Sequence, residues 1–364
     1  MTPPTPGFGV YIHVPFCSRR CDYCAFATWD DKAGEIHAYM DALATDVVRA
    51  VESGMRSAET IFVGGGTPSL VPAELLAKVI ASVPTTPGAE VTVECNPDNV
   101  TESLLRTYRD SGVNRISLGV QSMVPHVLVA LGREHDPDNV VAAVDAIRRV
   151  GVPTFNLDLI YGAHGESLDD WMSTVAAALA LEPPHVSAYA LTVEAGTPLA
   201  DDVSRHPDDD DQADKYPVAD ESFESAGLAN YEISNWARPG HESRHNRLYW
   251  AQADYRGFGC AAHSHASGRR WWNVRTPERY GDLVRRGEST EAAFEQLTTE
   301  QIAAERVQLT IRRREGVALG DIAYDKHPEI DEMVSDGLLV MEEGRVVLTP
   351  RGRLLANAIT LRLT

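Results

Sequence analysis

Three of the five cysteines lie close together, at Cys17, Cys21 and Cys24, with the spacing C-x3-C-x2-C. Thiolates are soft ligands that select zinc, copper(I) or an iron–sulfur cluster. A closed zinc site or a closed cluster requires four protein ligands. Three thiolates on one short loop can hold three irons of a [4Fe–4S] cluster. The fourth iron then stays open to a small chelating molecule.

The cysteine loop resembles the signature of the radical S-adenosylmethionine (SAM) superfamily, in which SAM chelates the open iron. The resemblance implies that Tyr23, directly before the last cysteine, lies along the adenine. The alternative is a zinc site completed by a distant residue such as His13 or Cys95. Zinc sites usually pair cysteines as C-x2–4-C with a second pair or histidines later in the chain, so the spacing favours the cluster.

The elements that must position this loop are indicated by apolar runs that alternate with amphipathic helical patterns. Such alternation is typical of parallel βαβ units. Because the cysteine loop follows the first strand, a partial (β/α)6 barrel is favoured over an open Rossmann sheet, and the fold class is α/β. Six strands are predicted around residues 10–14, 61–63, 91–94, 115–120, 155–160 and 186–193.

The pattern changes after the sixth strand, and three segments are predicted: the barrel over 1–200, an extension over 201–297 and a small domain over 298–364. The extension begins with an acidic stretch, Asp201 to Asp214, predicted to be an exposed loop, and continues with a region rich in histidine and aromatic residues. The last segment shows two helices, a hairpin that turns at Glu343-Gly344 and a final helix near Leu354. That order is winged-helix-like, and a lid or packing role is favoured over DNA binding.

The formal net charge of -20 argues against nucleic acid or an anionic membrane as the main partner, because both select clustered Lys and Arg. Apolar runs fall short of the ~20 residues of a membrane helix, so no integral membrane segment is expected. The amino terminus has no signal-peptide pattern, and the cysteines do not form a disulfide framework. A cytoplasmic location is therefore predicted.

Polar and glycine residues follow several of the predicted strands. The turn Gly64–Thr67 lets the backbone approach a ligand closely, although a plain tight turn is the alternative. Glu94, Gln121 and Asp158 stand at the carboxyl ends of strands, where barrel folds bind ligands. Arg133 can meet a carboxylate. Taken singly, each of Glu94, Gln121, Asp158 and Arg133 is more readily explained as a helix cap or a surface ion pair, and the arrangement of all four is what favours a ligand site.

Four segments together resemble the HemN/HemW family of radical SAM proteins: Tyr11–Cys17, Gly64–Pro68, Gly119–Ser122 and Asp158–Gly162. This family contains the oxygen-independent coproporphyrinogen III dehydrogenase and a heme chaperone, and the resemblance covers nearly the whole chain. It implies bound SAM, and by analogy with the dehydrogenase branch some of the residues contact a second SAM molecule. The implied SAM contacts are Tyr11, Tyr23, Gly65, Gly66, Thr67, Glu94, Gln121, Arg133 and Asp158.

Three features favour the chaperone branch. The dehydrogenase has a fourth cysteine two residues after the third, where this chain has Phe26, and it carries a longer amino-terminal arm than the nine residues before the first predicted strand. The chain also has the chaperone's H-N-x-x-Y-W motif, from His245 to Trp250. Imidazole is a common axial ligand of heme iron. A hydrogen-bonded turn histidine is the alternative for His245; Cys260, His263 and His265 are lower-ranked candidate ligands.

The sequence therefore predicts a heme chaperone of HemW type that binds heme, one [4Fe–4S] cluster and SAM and passes heme to acceptor apoproteins. Cys17, Cys21 and Cys24 are the predicted cluster ligands. The alternative is a catalytic radical SAM enzyme acting on coproporphyrinogen III or a related substrate. A zinc-stabilised binding module is a third possibility, but it leaves the barrel pattern and the glycine turn unexplained.

Overall fold

The structure, a computed structural model, describes residues 7–133 and 135–364. Its first half alternates strands and helices, as the sequence predicts. The first six strands pair in parallel and in chain order. They are β1 (Phe8–Val14), β2 (Ala58–Gly65), β3 (Thr85–Cys95), β4 (Arg115–Gln121), β5 (Thr154–Tyr161) and β6 (His185–Ala190).

Helices connect these strands and cover one face of the sheet. Their ends carry the predicted caps: the Thr101 side chain accepts from the Leu104 N–H, and Ser167 and Asp170 form a capping box. Gly151 ends a helix in the left-handed conformation. The helices are α1 (Ile36–Glu52), α2 (Ala73–Ala81), α3 (Glu102–Asp110), α4 (Pro125–Ala130), α5 (Pro137–Val150) and α6 (Leu168–Ala180).

The sheet continues beyond the six parallel strands on both sides. On one side β6 pairs with β8, and β8 with β7, both antiparallel. On the other side β9 pairs in parallel with β1, and β10, β11 and β12 follow antiparallel. The added strands are β7 (Ala229–Glu232), β8 (Asn235–Ala237), β9 (Asp254–Phe258), β10 (His263–Ala266), β11 (Arg269–Asn273) and β12 (Glu291–Gln296).

The two faces of β1 have different surroundings. Val10, Ile12 and Val14 are completely buried and pack in the main hydrophobic core. Tyr11 and His13 alternate with them and point to the opposite, inner face of the sheet. The inner face of the other parallel strands is polar, with Thr60, Thr92, Ser117 and Asn156 among its buried residues.

The acidic stretch is not the exposed loop that the sequence predicts. After α7 (Pro198–Asp201), α8 (Asp209–Ser225) begins inside it, and that part of the prediction is wrong. The Asp208 side chain accepts from the N–H groups of Asp210 and Asp211, and three aspartates in the first turn face the positive end of the helix dipole. Lys215, one turn after Asp211, is fully buried and pairs with it. The aspartates therefore start a helix.

The carboxyl-terminal part of the chain is winged-helix-like and has a hydrophobic core of its own, whose buried residues run from Val307 to Leu363. Its three antiparallel strands, in the order β13-β15-β14, make a sheet separate from the large one. None of the helices in the described part of the chain is long and apolar enough to cross a membrane. The remaining elements of the chain are α9 (Arg244–Trp250), α10 (Pro277–Arg286), α11 (Thr299–Thr310), β13 (Val317–Ala318), α12 (His327–Ser335), β14 (Leu339–Glu342), β15 (Arg345–Leu348), α13 (Pro350–Leu354) and α14 (Ala356–Leu363).

Candidate functional site

The cysteine loop leaves the carboxyl end of β1 and is closed at its base by backbone hydrogen bonds. The Cys17 N–H donates to the Trp29 carbonyl at 3.0 Å, and the Trp29 N–H donates to the Pro15 carbonyl at 2.8 Å. Within the loop, the Cys24 N–H donates to the Cys21 carbonyl at 3.2 Å. All three thiols are free and partly exposed. The loop thus presents three thiols from one rigidly anchored segment.

The glycine turn after β2 lies directly against the cysteine loop. The Gly66 N–H donates to the Val14 carbonyl at 2.8 Å, and the Thr67 N–H donates to the Phe16 carbonyl at 2.7 Å. A Cβ on Gly66 would lie 2.5 Å from the Phe16 oxygen. A Cβ on Gly65, whose φ is +113°, would lie 2.4 Å from the His13 ring. Close approach of the two loops therefore requires glycine at both positions.

His13 fastens the far side of the cysteine loop. Its Nε2 is hydrogen-bonded to the Ala27 carbonyl at 2.9 Å, and its Nδ1 to the Tyr11 hydroxyl at 2.9 Å. Because a carbonyl only accepts, Nε2 carries the proton and Nδ1 accepts from Tyr11. Burial lowers the pKa of His13 to about 4, so the ring is neutral. Both nitrogens are occupied, and His13 is a structural support of the loop.

Glu94 lies at the carboxyl end of β3 and faces the glycine turn. The Gly65 N–H donates to Glu94 Oε2 at 3.1 Å. Burial, together with the nearby charge of Asp158, raises the pKa of Glu94 to about 8, although the Gly65 hydrogen bond opposes the shift. Below that pH the carboxyl group is protonated unless a cation binds beside it. Glu94 is therefore suited to a ligand with an amino group.

Asp158, two strands away, is held by its neighbours. Ser117 Oγ donates to Asp158 Oδ2 at 2.8 Å, and Asn156 Nδ2 donates to Oδ1 at 2.7 Å. Burial raises the pKa of Asp158, and these hydrogen bonds oppose the shift. Ser117 and Asn156 were not among the predicted site residues. Their place on the inner face of adjacent strands was the only sequence signal for them.

Gln121 and Arg133 complete this edge of the sheet. Gln121 ends β4 with a φ of +63°, a strained backbone conformation for a non-glycine residue and one that often marks functional sites. Arg133 Nη2 donates to the Gly119 carbonyl at 2.6 Å, and Nη1 contacts Cys21 Sγ at 3.7 Å. Arg133 Nε is buried and has no hydrogen-bond partner among the described residues. The guanidinium thus connects the end of β4 to the cysteine loop, and its Nε–H is available to a ligand.

Tyr23 projects from the loop into a small apolar cluster that includes Leu131 and Leu199. The remaining cysteines lie elsewhere: Cys95 is 4% exposed in the main core, and Cys260 is fully buried next to the Tyr39 hydroxyl. Among the described residues, no three histidine, cysteine, aspartate or glutamate side chains converge on a single metal ion. A [4Fe–4S] cluster has a different requirement, since each thiolate ligates a different iron.

His245 lies apart from this edge, near the amino-terminal halves of β1 and β2. Its ring is 1% exposed and stacks on Phe62 with centroids 5.3 Å apart. Nδ1 is hydrogen-bonded to Thr60 Oγ1 at 2.8 Å and Nε2 to the Tyr249 hydroxyl at 2.9 Å. Burial lowers the pKa of His245 to about 3. The heme-ligand role of His245 stays a prediction, and this geometry favours the hydrogen-bonded alternative.

The fold and the cysteine loop define a radical SAM barrel. Residues 11–178 match the model of the Radical SAM superfamily. A protein named "Heme chaperone HemW" from Mycobacterium tuberculosis is 41% identical over 99% of this chain and 96% of its own length. Proteins of the same name from Escherichia coli and Bacillus subtilis are 35% and 31% identical over 97% and 96% of this chain and 97% of their own lengths. The chain therefore belongs to the HemN/HemW family of radical SAM proteins.

A solved structure agrees with the fold. The coproporphyrinogen III oxidase HemN from Escherichia coli, described as a radical SAM enzyme, superposes with a TM-score of 0.86. The match covers 99% of this chain and 90% of the HemN chain, at 20% sequence identity. At that identity the similarity supports the fold: a partial (β/α)6 barrel followed by a small winged-helix-like unit.

Proposed function

We propose that this protein is a heme chaperone of HemW type, which binds heme and transfers it to acceptor apoproteins in the cytoplasm. The observation that carries the proposal is the near full-length similarity, at 31–41% identity, to proteins named heme chaperones in three distant bacteria. The HemN fold is shared by both branches of the family and does not separate them.

The cofactors that the superfamily implies fit the residues at the carboxyl edge of the sheet. Cys17, Cys21 and Cys24 would hold a [4Fe–4S] cluster, because three free thiols stand on one anchored loop. Burial raises the pKa of the Cys17 thiol to about 11, so a metal must supply the positive charge that keeps its thiolate form. When bound, the cluster and SAM supply one-electron chemistry that the chain's own side chains lack.

SAM would lie between the glycine turn and the strand ends. Gly65 and Gly66 leave room for the ligand at the turn, while the Glu94 carboxylate suits its amino group and Arg133 its carboxylate. Asp158 and Gln121 offer polar groups for the ribose hydroxyls. Tyr11, Tyr23 and Thr67 complete the proposed set. In this arrangement the side chains bind and orient SAM, and His13 keeps the loop in place.

The second candidate is a catalytic radical SAM enzyme acting on coproporphyrinogen III. The shared fold and the SAM residues favour it as much as they favour a chaperone. Phe26 speaks against it, since the dehydrogenase branch has a further cysteine at that position. Phe26 is 64% exposed and lines an open cavity, so it is not replacing a core residue.

The test is anaerobic reconstitution with iron and sulfide, followed by heme titration and by transfer of the bound heme to an apocytochrome. Binding near one heme per chain and transfer on mixing are expected. In a parallel sample with SAM, a reductant and coproporphyrinogen III, no sustained loss of carboxyl groups is expected by mass spectrometry. Repeated decarboxylation without heme transfer would contradict the chaperone function and support the catalytic radical SAM enzyme.

A further inference from the structure

A cavity of ≈ 370 Å³ opens beside the cysteine loop, on the inner face of β1, β9 and β10. This volume lies in the usual range of small-molecule sites. Its walls are mainly aromatic and include Tyr11, Phe26, Tyr249 and Tyr255. No acidic side chain of the described residues lines it, although the chain carries a formal net charge of -20. The cavity therefore suits a flat, largely apolar ligand, and no carboxylate of the described lining residues would repel an anionic group on it.

One imidazole in the cavity wall has free nitrogens. His263 makes no side-chain hydrogen bond with a described residue, and its ring stacks on Trp272 with centroids 5.6 Å apart and planes 26° apart. Partial burial lowers the pKa of His263, so that the neutral form with a lone pair prevails near neutral pH. The lone pair of this neutral imidazole, which faces the cavity, can therefore ligate a metal ion.

The other candidate ligands are already occupied. His13 lines the same cavity but has both nitrogens in hydrogen bonds. His265 Nδ1 is hydrogen-bonded to the Ala253 carbonyl, and its Nε2 accepts from the Gly268 N–H. Cys260 is fully buried beside Tyr39. His245 is enclosed between Thr60 and Tyr249.

A positive charge stands at the same cavity. Arg275 lines it, is exposed and forms no ion pair within the described part of the chain. A guanidinium with unused donors suits a carboxylate, and heme carries two propionate groups. Phe26, exposed on the side of the cysteine loop, offers an aromatic surface for the macrocycle.

We propose that heme binds in this cavity, with His263 as an axial ligand of the iron and Arg275 paired with a propionate. The proposal rests on the proposed function and gives heme a site different from the one the His245 motif predicts. Because Ala25 to Ala27 line the cavity directly after Cys24, heme would lie next to the cysteine loop. The open mouth leaves part of the ligand exposed, which suits a protein that must release heme to another chain.

The test uses the reconstituted full chain and titration with hemin, read by the Soret band. His263→Ala should remove the wild-type ligation spectrum and weaken binding by about tenfold or more, whereas His263→Met should retain binding with a shifted band, because thioether is also a heme ligand. His245→Phe is the matched control on the motif histidine and should leave the spectrum of the bound complex unchanged. The cluster absorbance should be the same in all three variants.

Arg275→Gln tests the propionate contact. It should weaken hemin binding about two- to fivefold, as expected of a partly exposed ion pair, and should not affect binding of hemin dimethyl ester. Equal weakening with both ligands would overturn this part of the proposal.

The outcomes separate the two levels of inference. A wild-type protein that binds no heme contradicts the proposed function. A wild-type protein that binds heme while His263→Ala keeps its spectrum and affinity overturns the His263 site alone. Weakened SAM binding with unaltered heme binding in His263→Ala would also overturn it, because the cavity would then belong to SAM.

Discussion

The two ends of the parallel sheet's inner face use polar side chains in opposite ways. At the amino end, the His245 ring is buried and both of its nitrogens are hydrogen-bonded, to Thr60 and Tyr249. At the carboxyl end, Arg133 Nε has no partner among the described residues, Gln121 is in a strained conformation and the three thiols form no disulfide. The His245–Trp250 motif lies at the amino end, where the polar groups already have partners. Polar groups without partners therefore indicate a binding site more clearly than residue type does.

The largest effect is expected at the cysteine loop. Cys21→Ser should abolish the [4Fe–4S] cluster. The loop supplies only three thiolates, each of which holds one iron, and hydroxyls are poor ligands of iron–sulfur clusters. Loss of the visible absorbance and of the paramagnetic signal of the reduced cluster measures this. Cys95→Ala, in the core, is the matched control and should retain both. A cluster that survives in Cys21→Ser would show that the ligand set is different.

Two glycines with positive φ can be compared directly: Gly65 in the glycine turn and Gly151 at the end of α5. Gly65→Ala combines a φ of +113° with a Cβ 2.4 Å from His13, and should abolish SAM binding and lower the free energy of unfolding by about 1–3 kcal/mol. Gly151→Ala has a φ of +78° but open space around its Cβ. It should cost about 1–2 kcal/mol and leave SAM binding unchanged. Calorimetric SAM titration and denaturant unfolding measure both; equal SAM affinities would contradict the close-approach role of Gly65.

At the satisfied end the expected effect is on stability. His245→Ala leaves the Thr60 and Tyr249 hydroxyls without their buried partner and should lower the free energy of unfolding by about 1–3 kcal/mol. Tyr249→Phe removes one of the two hydrogen bonds and should have a smaller effect. Denaturant unfolding of the two single variants and the double variant gives the coupling energy. An unchanged stability in His245→Ala would mean that the imidazole is not held as described.

The smallest effect is a pH dependence of SAM binding. The free protein's Glu94 has a pKa of about 8, raised by burial and by Asp158, and the Tyr11 hydroxyl faces it from β1. The ionised carboxyl can accept a hydrogen bond from the amino group of SAM in either protonation state of that group, whereas the protonated carboxyl accepts it less well, so SAM affinity should rise about tenfold between pH 7 and pH 9. Calorimetry across that range measures it, and Glu94→Gln should make the affinity independent of pH in this window.

The raised pKa of Glu94 affects the stability of the protein without SAM in the opposite direction: the free energy of unfolding falls as the pH rises. The folded protein holds a proton on Glu94 that the unfolded chain releases above its ordinary pKa of 4.5. The contribution of Glu94 to the free energy of unfolding is therefore full below pH 4.5 and falls as the pH rises to about 8. A contribution that rises with pH over this range, relative to Glu94→Gln, would contradict the direction of the pKa shift.

The barrel could be predicted from sequence because its signals are local. Apolar runs, the Thr101 and Ser167 caps and Gly151 each act within a few residues, and the structure confirms the six strands and the helices between them. The parallel pairing of β9 with β1 could not be predicted, because it joins segments far apart in the chain. The start of α8 is not predicted, because a run of aspartates in sequence is typical of a solvated loop and does not show which of them caps a helix.

Some residues of the candidate site could likewise be predicted from local sequence signals, whereas others could not. Gly65 and Glu94 were predicted from their positions after strands, and the structure brings them within hydrogen-bonding distance. The choice among His245, His263 and His265 as the heme ligand depends on which ring nitrogens are already hydrogen-bonded. That depends on partners such as Thr60, Tyr249 and Ala253, which a motif does not specify.

The position of β1 between β2 and β9 has a consequence for biosynthesis. The strand that precedes the cysteine loop is synthesised before β2 and β9, and β2 soon pairs with one of its edges. Its other edge must wait until β9 has been made, on the order of tens of seconds later at ~5–20 residues per second. During that interval the cysteine loop follows a strand that has only one of its edges paired. Metal loading before β9 docks would thus compete with oxidation of three unprotected thiols.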